Sequence, residues 1–202
     1  MSAAAPLCDE AIALEPLHRG HFDELVPILD DEIWRYQPIA PGALPRTAGE
    51  HADWLGRWFA ASEAGIASGG EIVFCVRRLG DGAIVGSTRY LNIARAHLRL
   101  EIGGTFYRAD ARRTDVNTRC KRLLLARAFD ELGCMRVELK CDARNLPSRT
   151  AIARLGATQE GIFRQHILLG DGHRRDTVYF AILDGEWPAI RARLDQRIRR
   201  SG

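Results

Sequence analysis

"RRTDVNTRCKRLLLARAF", residues Arg112 to Phe129, decides how this chain is read. Cys120, Leu124 and Ala128, together with Leu125 and Phe129, recur at helical spacing, so residues 117–132 are predicted as a helix that Gly133 stops. Its first turns carry Arg119, Lys121 and Arg122, with Arg112 and Arg113 just upstream. A helix start is the positive end of the peptide dipole and favours acids, each by roughly 0.3–1 kcal/mol. It also offers backbone N–H groups without helical partners, and a preceding turn adds more. Such a nest holds phosphate by main chain alone, and a diphosphate there would neutralise the misplaced cations. The plainer alternative is a solvated basic helix that Asp110, Asp115 and Asp130 partly balance.

Outward from that helix the pattern alternates. "AIALEPL" (11–17) is predicted as a short edge strand, and residues 18–29 as a helix with Phe22, Leu25, Val26 and Leu29 on one stripe. "RYQPIAPGALP" (35–45) is a loop of the kind that covers a ligand. Residues 48–64 form a second helix carrying Trp54, Leu55, Trp58 and Phe59, so 8–70 is expected to act as a lid on an acceptor side. "EIVFCVRR" (71–78), the turn Gly80–Gly82, "AIVGSTRYLNI" (83–93) and "HLRLEIGGTFY" (97–107) read as an antiparallel meander. Its Gly103–Gly104 pair would weaken regular pairing. Beyond the central helix come a strand (135–141), a short helix (145–156) with Pro147 early and Gly156 at its exit, and a closing hairpin (160–183) turning at Gly170–Gly172. Trp187, Ile190, Leu194 and Ile198 stripe a last helix. With no repeat or linker, residues 1–202 are expected to form a single mixed α/β (α+β) domain.

Composition narrows the functions. The chain has 202 residues, 46% of them hydrophobic, enough for one sizeable core. A net charge of +3 argues against an obligate DNA-binding domain and leaves room for local anion sites. Neither GxxxxGK[ST] nor GxGxxG occurs, which disfavours an ATPase or a nicotinamide enzyme. The five cysteines show no CxxC spacing and the histidines no HExxH pattern, so neither a disulfide framework nor a metal is expected. The first residues lack the charge pattern of a signal peptide, and no apolar window would span a bilayer; a cytoplasmic, membrane-free protein is expected.

Five strings, "LEIGGTFY", "RRTDVNTRCKRLLLARAFDELG", "RVELKCDARNLPSRTAIARLGA", "EGIFRQH" and "DGHRRDTVYFAILDGEWP", stand in one order over residues 100–188. There the chain resembles the GNAT superfamily of acyl-coenzyme A N-acyltransferases, in its ribosomal-protein-alanine acetyltransferase-like branch. The resemblance implies a central, mostly antiparallel sheet flanked by helices and splayed at its central parallel strands. It implies acetyl-coenzyme A as donor substrate and a primary amine as acceptor, on a protein N-terminus or a small molecule. The family loop (Arg/Gln)xxGx(Gly/Ala), whose amides grip the coenzyme A diphosphate, falls on Arg112 to Asn117, with Arg113, Thr114, Val116 and Thr118 in or beside it. Asp115 stands where glycine is usual and Asn117 at the Gly/Ala position, so the aspartate must point away or cap the next turn. Pantetheine would run past Ile102, Gly103 and Gly104 on one strand and Cys141 and Asp142 on the other. Asn145 and Ser148 match an NxxS pattern near the coenzyme sulphur, while Ile152 occupies the position of the usual acid tyrosine.

Transfer from a thioester to an amine needs proximity, an oxyanion donor, a proton acceptor and a donor to the leaving thiolate. Glu101, between Leu100 and Ile102, faces away from both and is the leading general base; a cleft position would raise its pKa. Its alternative is a structural acid paired with Arg89 or Arg99, and Glu160 is the second carboxylate. Ser148 is the thiol-side candidate, although Asn145 as N-cap would engage the Ser148 N–H for about 1 kcal/mol. Cys141 as an acyl-enzyme nucleophile would need an activator such as His166, and a buried structural thiol is the simpler reading. Strand alternation puts Arg164 and His166 on one face and Phe163 and Gln165 on the other. Arg174, Arg175 and Asp176 either guide a carboxylate-bearing amine or solvate the hairpin; Trp34, Tyr36, Trp54 and Trp58 either shape the acceptor opening or are core. Two rivals to the enzyme are a coenzyme A-binding sensor or scaffold and an RNA-associated phosphate-binding module. The region 108–127 holds no aromatic for base stacking, which makes nucleic acid the weaker option. The closing hairpin is compatible with a homodimer, which the sequence does not fix.

Overall fold

Alternating apolar and polar positions produce eight strands in one sheet among the described residues. A computed structural model describes residues 5–39 and 43–201. The strands are β1 (Leu7–Cys8), β2 (Ile12–Pro16), β3 (Ile72–Arg78), β4 (Ile84–Ala94), β5 (Arg99–Tyr107), β6 (Arg136–Asp142), β7 (Thr158–Leu168) and β8 (Arg174–Leu183), in the spatial order β1-β2-β3-β4-β5-β6-β8-β7. Every neighbouring pair is antiparallel except β5 with β6. The result is a mixed α/β fold with a mostly antiparallel central sheet, as the sequence predicts. The 11–17 strand is not an edge, because β1 pairs outside it through Leu7↔Leu14.

Helices cover both faces. Among the described residues they are α1 (Phe22–Leu25), α2 (Asp31–Trp34), α3 (Ala48–Ala67), α4 (Val116–Ala126), α5 (Leu146–Leu155) and α6 (Trp187–Ser201). In β3, Phe74 and Val76 enter a core with residues of α4, α5 and α6, while Cys75 between them enters a core with residues of α1, α2 and α3. The helix predicted over 18–29 is broken into a short 3-10 turn, α1 and a second 3-10 turn that holds Pro27, which cannot supply the helical N–H. The sequence reading passed over α2, although Asp30 caps it through Ile33 N–H and Asp31 and Glu32 fill its first turn. Helix α3 starts in a capping box between Thr47 and Glu50 and runs to Ala67, three residues past expectation. Residues 40–42 of the predicted 35–45 loop lie outside the described residues, as do 1–4.

Two backbone irregularities position the site. Strands β5 and β6 pair in parallel only at Arg99↔Arg136, Leu100↔Val137 and Glu101↔Glu138; both run on beyond that point without pairing. On its other side β5 slips register against β4 between Gly103 and Phe106, at Gly104, whose φ of +55° lies in the left-handed region that glycine adopts freely. A second slip lies in β7 between Phe163 and Ile167, where Gln165 has φ +49° and its N–H donates to Asp176 Oδ1 at 2.7 Å. That bulge overturns the expected alternation, since the Phe163 and His166 rings meet edge-on at 5.3 Å.

Candidate active site

The start of α4 explains its own charge, and the explanation differs from the expectation. Arg119 is buried and answered by Asp115 (2.6 Å), Asp9 (3.0 Å) and Glu10 (2.5 Å). Arg122 pairs with Asp195 at 2.8 Å. Lys121 is buried and donates to Thr105 Oγ1 at 2.8 Å and Thr88 Oγ1 at 3.3 Å. Arg112 gives Nε to the Tyr107 carbonyl, Nη1 to Glu32 and Nη2 to both oxygens of Asp30. These side chains are committed to protein partners, and the Arg112 guanidinium, expected beside the diphosphate, forms a strut between loop and α2. Of the three aspartates expected to balance the helix, only Asp115 does; Asp110 serves Arg78 and Arg108, and Asp130 serves Trp187 and Arg191.

What remains at the helix start is main chain. Helix geometry gives the N–H groups of Val116, Asn117 and Thr118 no carbonyl within α4, while Arg119 N–H reaches the Asp115 carbonyl at 2.9 Å. Val116 N–H turns back to Thr114 Oγ1 at 3.3 Å, and the Thr114 hydroxyl donates to the Ala111 carbonyl. Both departures from the family loop draw their side chains aside. The Asp115 carboxylate turns to Arg119 and makes no cap bond, and Asn117 Oδ1 accepts from the buried Tyr107 hydroxyl at 3.2 Å. Val116 packs in the core, and Arg113 is exposed with φ +62°. The donor set therefore suits an anion held by amides, with Arg113 as the cation beside it.

The gap between β5 and β6 lies next to this start. Ile102 packs against the α4 face, and Glu101 points to the opposite face, 2% exposed. Neither Arg89 nor Arg99 partners it. Glu101 Oε2 receives Lys140 Nζ at 2.9 Å and Asn92 Nδ2 at 2.8 Å, while Oε1 lies beside Gly103, where a Cβ would stand 2.9 Å away. Glu160 is spent in a two-pronged pair with Arg136, which holds its carboxyl below the usual range. Across the gap, Asn145 caps α5 by accepting from Ser148 N–H at 3.0 Å. The Ser148 hydroxyl meets the Cys141 thiol, whose pKa burial raises. A buried thiol with raised pKa is a poor nucleophile, and His166 bonds to Thr177 at 3.1 Å instead.

The α3 face carries two cations whose burial the sequence did not reveal. Arg89 and Arg175 are buried, each with an Nε that has no partner. Arg175 was offered as hairpin solvation or acceptor guide; it is 5% exposed beneath the Tyr36 carbonyl, so it solvates nothing. A signal existed for Arg89, the one charged residue in its strand, but not for Arg175, which stands between Arg174 and Asp176. Trp34 is core, with its ring 4.6 Å from that of Trp54 and Nε1 on His51; Trp54 and Trp58 are half-buried.

Sheet order, the parted parallel strands and the amide-rich start of α4 occur together in one known family. The model of the acetyltransferase (GNAT) domain matches residues 12–158. The chain belongs to the GNAT acetyltransferase family. The match begins well ahead of the 100–188 stretch that carries the sequence resemblance and takes in the N-terminal elements. A GCN5-related N-acetyltransferase from Brucella melitensis is 29% identical, with 95% of this chain and 84% of that chain covered and a TM-score of 0.81. A provisionally named GNAT acetyltransferase of Chromobacterium violaceum is 32% identical over 91% of this chain and 88% of its own, with a TM-score of 0.77. Mycobacterium smegmatis RimJ, solved with CoA-disulfide, shares the fold at 20% identity, with coverages of 96% and 94% and a TM-score of 0.80. The provisionally named ribosomal N-acetyltransferase YdaF of Bacillus subtilis is 28% identical over 107 residues, 53% of this chain and 57% of that relative's length. Among the described residues, no helix is long and apolar enough to cross a membrane.

Proposed function

We propose that this GNAT domain transfers an acetyl group from acetyl-coenzyme A to a primary amine by direct attack in a ternary complex. The observation that carries the proposal is the parting of β5 from β6 after Glu101↔Glu138, beside a helix start whose amides lack helical partners. The thioester supplies an already activated acyl carbon. The chain's part is to hold, orient and move protons. Amides of Arg113 to Thr118 grip the diphosphate, aided by the Arg113 side chain. The unpaired edges of β5 at Ile102 and Gly103 and of β6 at Cys141 receive the pantetheine arm as an added strand. Glu101 Oε1 accepts the proton from the attacking amine, directly or through water, while Lys140 and Asn92 fix the other oxygen. A C–N bond forms as the C–S bond breaks, and the Ser148 hydroxyl, set at the first turn of α5 by the Asn145 cap, donates a hydrogen bond to the departing sulphur. Asn145 thus serves the helix and the pantetheine together.

The likeness to YdaF, named for N-acetyl transfer at the ribosome, supports a protein amine such as an N-terminus as one acceptor class, with a small amine as the other. A cytoplasmic setting belongs to the same proposal. Calorimetry with acetyl-coenzyme A, then thiol release over an amine panel, tests it. Saturable donor binding with amine-dependent release is expected. Absent donor binding refutes the reading, and binding without release on any amine leaves a coenzyme A sensor. Tight, salt-sensitive RNA binding would revive the nucleic-acid alternative.

A further inference from the structure

The sheet face under α3 holds a feature that acyl transfer to amines in general does not require. A cavity of about 390 Å³ opens there, lined chiefly by Gln37, Ile39, Trp54, Trp58, Arg89 and Gly104. That volume lies in the range of small-molecule sites. Arg89 on β4 is 7% exposed, and the two-residue period sends its neighbour Tyr90 to the opposite core. Its Nη1 is bonded to Glu71 at 2.9 Å, and its guanidinium carbon lies 4.6 Å from the Trp58 ring centre. Its Nε and Nη2 are both buried, and neither has a partner among the described residues.

Those two nitrogens make one edge of the guanidinium, the edge that receives a carboxylate through two parallel hydrogen bonds. A buried donor without a partner is rare in a native fold, and here two occur on one edge of one side chain. Gly104 keeps the edge clear of side chains, since a Cβ there would stand 2.8 Å from Nε. Arg57 also lines the cavity, is exposed and has no carboxylate partner among the described residues. Glu101 is close by. Gly103 abuts its Oε1 and the next residue, Gly104, abuts Arg89, so two adjacent glycines of β5 face the two side chains, with Glu101 itself set behind the cavity wall.

We infer that this cavity is the acceptor subsite and that its ligand is a small amine bearing a carboxylate, an amino acid or close analogue. The carboxylate takes the Nε–Nη2 edge of Arg89, the amine faces Glu101, and the side chain lies against Ile39, Trp54 and Trp58. The inference rests on the acyl-transfer reading for the amine's role, whereas the carboxylate subsite stands on Arg89 itself.

Trp54 and Trp58 report occupancy by fluorescence. The full-length protein, with and without saturating coenzyme A, is titrated with the twenty amino acids, their carboxamides, the matching decarboxylated amines and O-phosphoethanolamine. At least one amino acid is expected to bind saturably, with its amide and decarboxylated amine weaker by about tenfold or more. No amino acid binding up to about 10 mM, amides or amines binding as well as the acids, or phosphoethanolamine binding tighter than any acid each overturns the inference. In Arg89→Gln the acid-to-amide preference should fall to about one, a ratio that loss of folding alone would not change selectively. Should that variant not fold, Arg57→Ala, on an exposed position, is expected to weaken the acids about two- to fivefold and leave the amides unchanged, and an equal loss for both overturns the inference. Thiol release run in parallel separates the two claims. Selective acid binding without any release removes the acyl-transfer reading alone, and release confined to amines without a carboxylate removes the subsite alone.

Discussion

Lys121→Met should make the protein more stable at neutral pH. Lys121 is 6% exposed, no carboxylate among the described residues answers it, and burial lowers its pKa from 10.5 to about 8. The folded form therefore holds this proton less tightly than the unfolded form. A lysine whose folded pKa is depressed costs stability in full below the folded value, and the cost fades as pH rises toward the unfolded value. With those two pKa values the cost is about 3 kcal/mol at pH 7 and falls to under about 1 kcal/mol by pH 10. Methionine keeps the length and apolar stem of the side chain. It forfeits the bonds to Thr105 and Thr88, worth roughly 1–2 kcal/mol together, but those two hydroxyls already bond each other at 2.8 Å. The variant should gain about 1–3 kcal/mol at pH 7 and lose most of that advantage by pH 10. Urea unfolding at both pH values measures it directly. A difference between the two proteins that stays constant from pH 7 to pH 10 would refute the reasoning, because only the titration of this amine links them.

The other expectations test the start of α4 and the cleft. Asn145→Ala should cost about 1 kcal/mol in thermal or urea unfolding by removing the bond to Ser148 N–H. Ser148→Ala should lower turnover more than donor affinity, measured as kcat against the calorimetric Kd; equal loss of both together with weakened folding would assign it to the helix alone. Arg113→Ala should raise the donor Kd about three- to tenfold, whereas Arg112→Ala should show mainly as lost stability, since its guanidinium is saturated by Asp30, Glu32 and Tyr107. Arg119→Met should cost several kcal/mol, roughly 3–5, in urea unfolding at neutral pH because Asp9 and Asp115 would be left half-buried without their cation.

Local chemistry made much of this fold legible. The two-residue period located the strands and the 3.6-residue period the helices, and Asn145 with Pro147 and Gly156 gave α5 nearly to the residue. What escaped was non-local or conformational. The basic residues before and within α4 look unbalanced along the chain, but Asp9 and Glu10 come from more than a hundred residues away and Asp30 from eighty. No spacing rule joins them. The bulge at Gln165 escaped because glutamine carries no preference for the left-handed region it occupies there. Pro27 was visible, yet the apolar stripe around it outweighed it in the reading of 18–29. For the site, the glycine pair and Glu101 were found by position, while Lys140 and Asn92 as the partners of Glu101 needed the pairing of three strands.

The register slip at Gly104 ties the two halves of the site together. Ile102 and Tyr107 both face the α4 core, although they are five residues apart, an odd number that strict alternation forbids. One extra residue absorbed at Gly104 resolves the conflict. Before the slip, Glu101 faces α3; after it, Phe106 also faces α3, closing the cavity wall, while Thr105 turns the other way to meet Lys121. Without the slip Thr105 would leave Lys121 and Phe106 would enter the α4 core. The slip falls where β5 has already lost β6, so it interrupts the ladder on the β4 side alone. The slip thus sets Phe106 in the wall of the α3-side cavity and Thr105 against Lys121, just beyond the point where β5 parts from β6, with Glu101 at the last paired position.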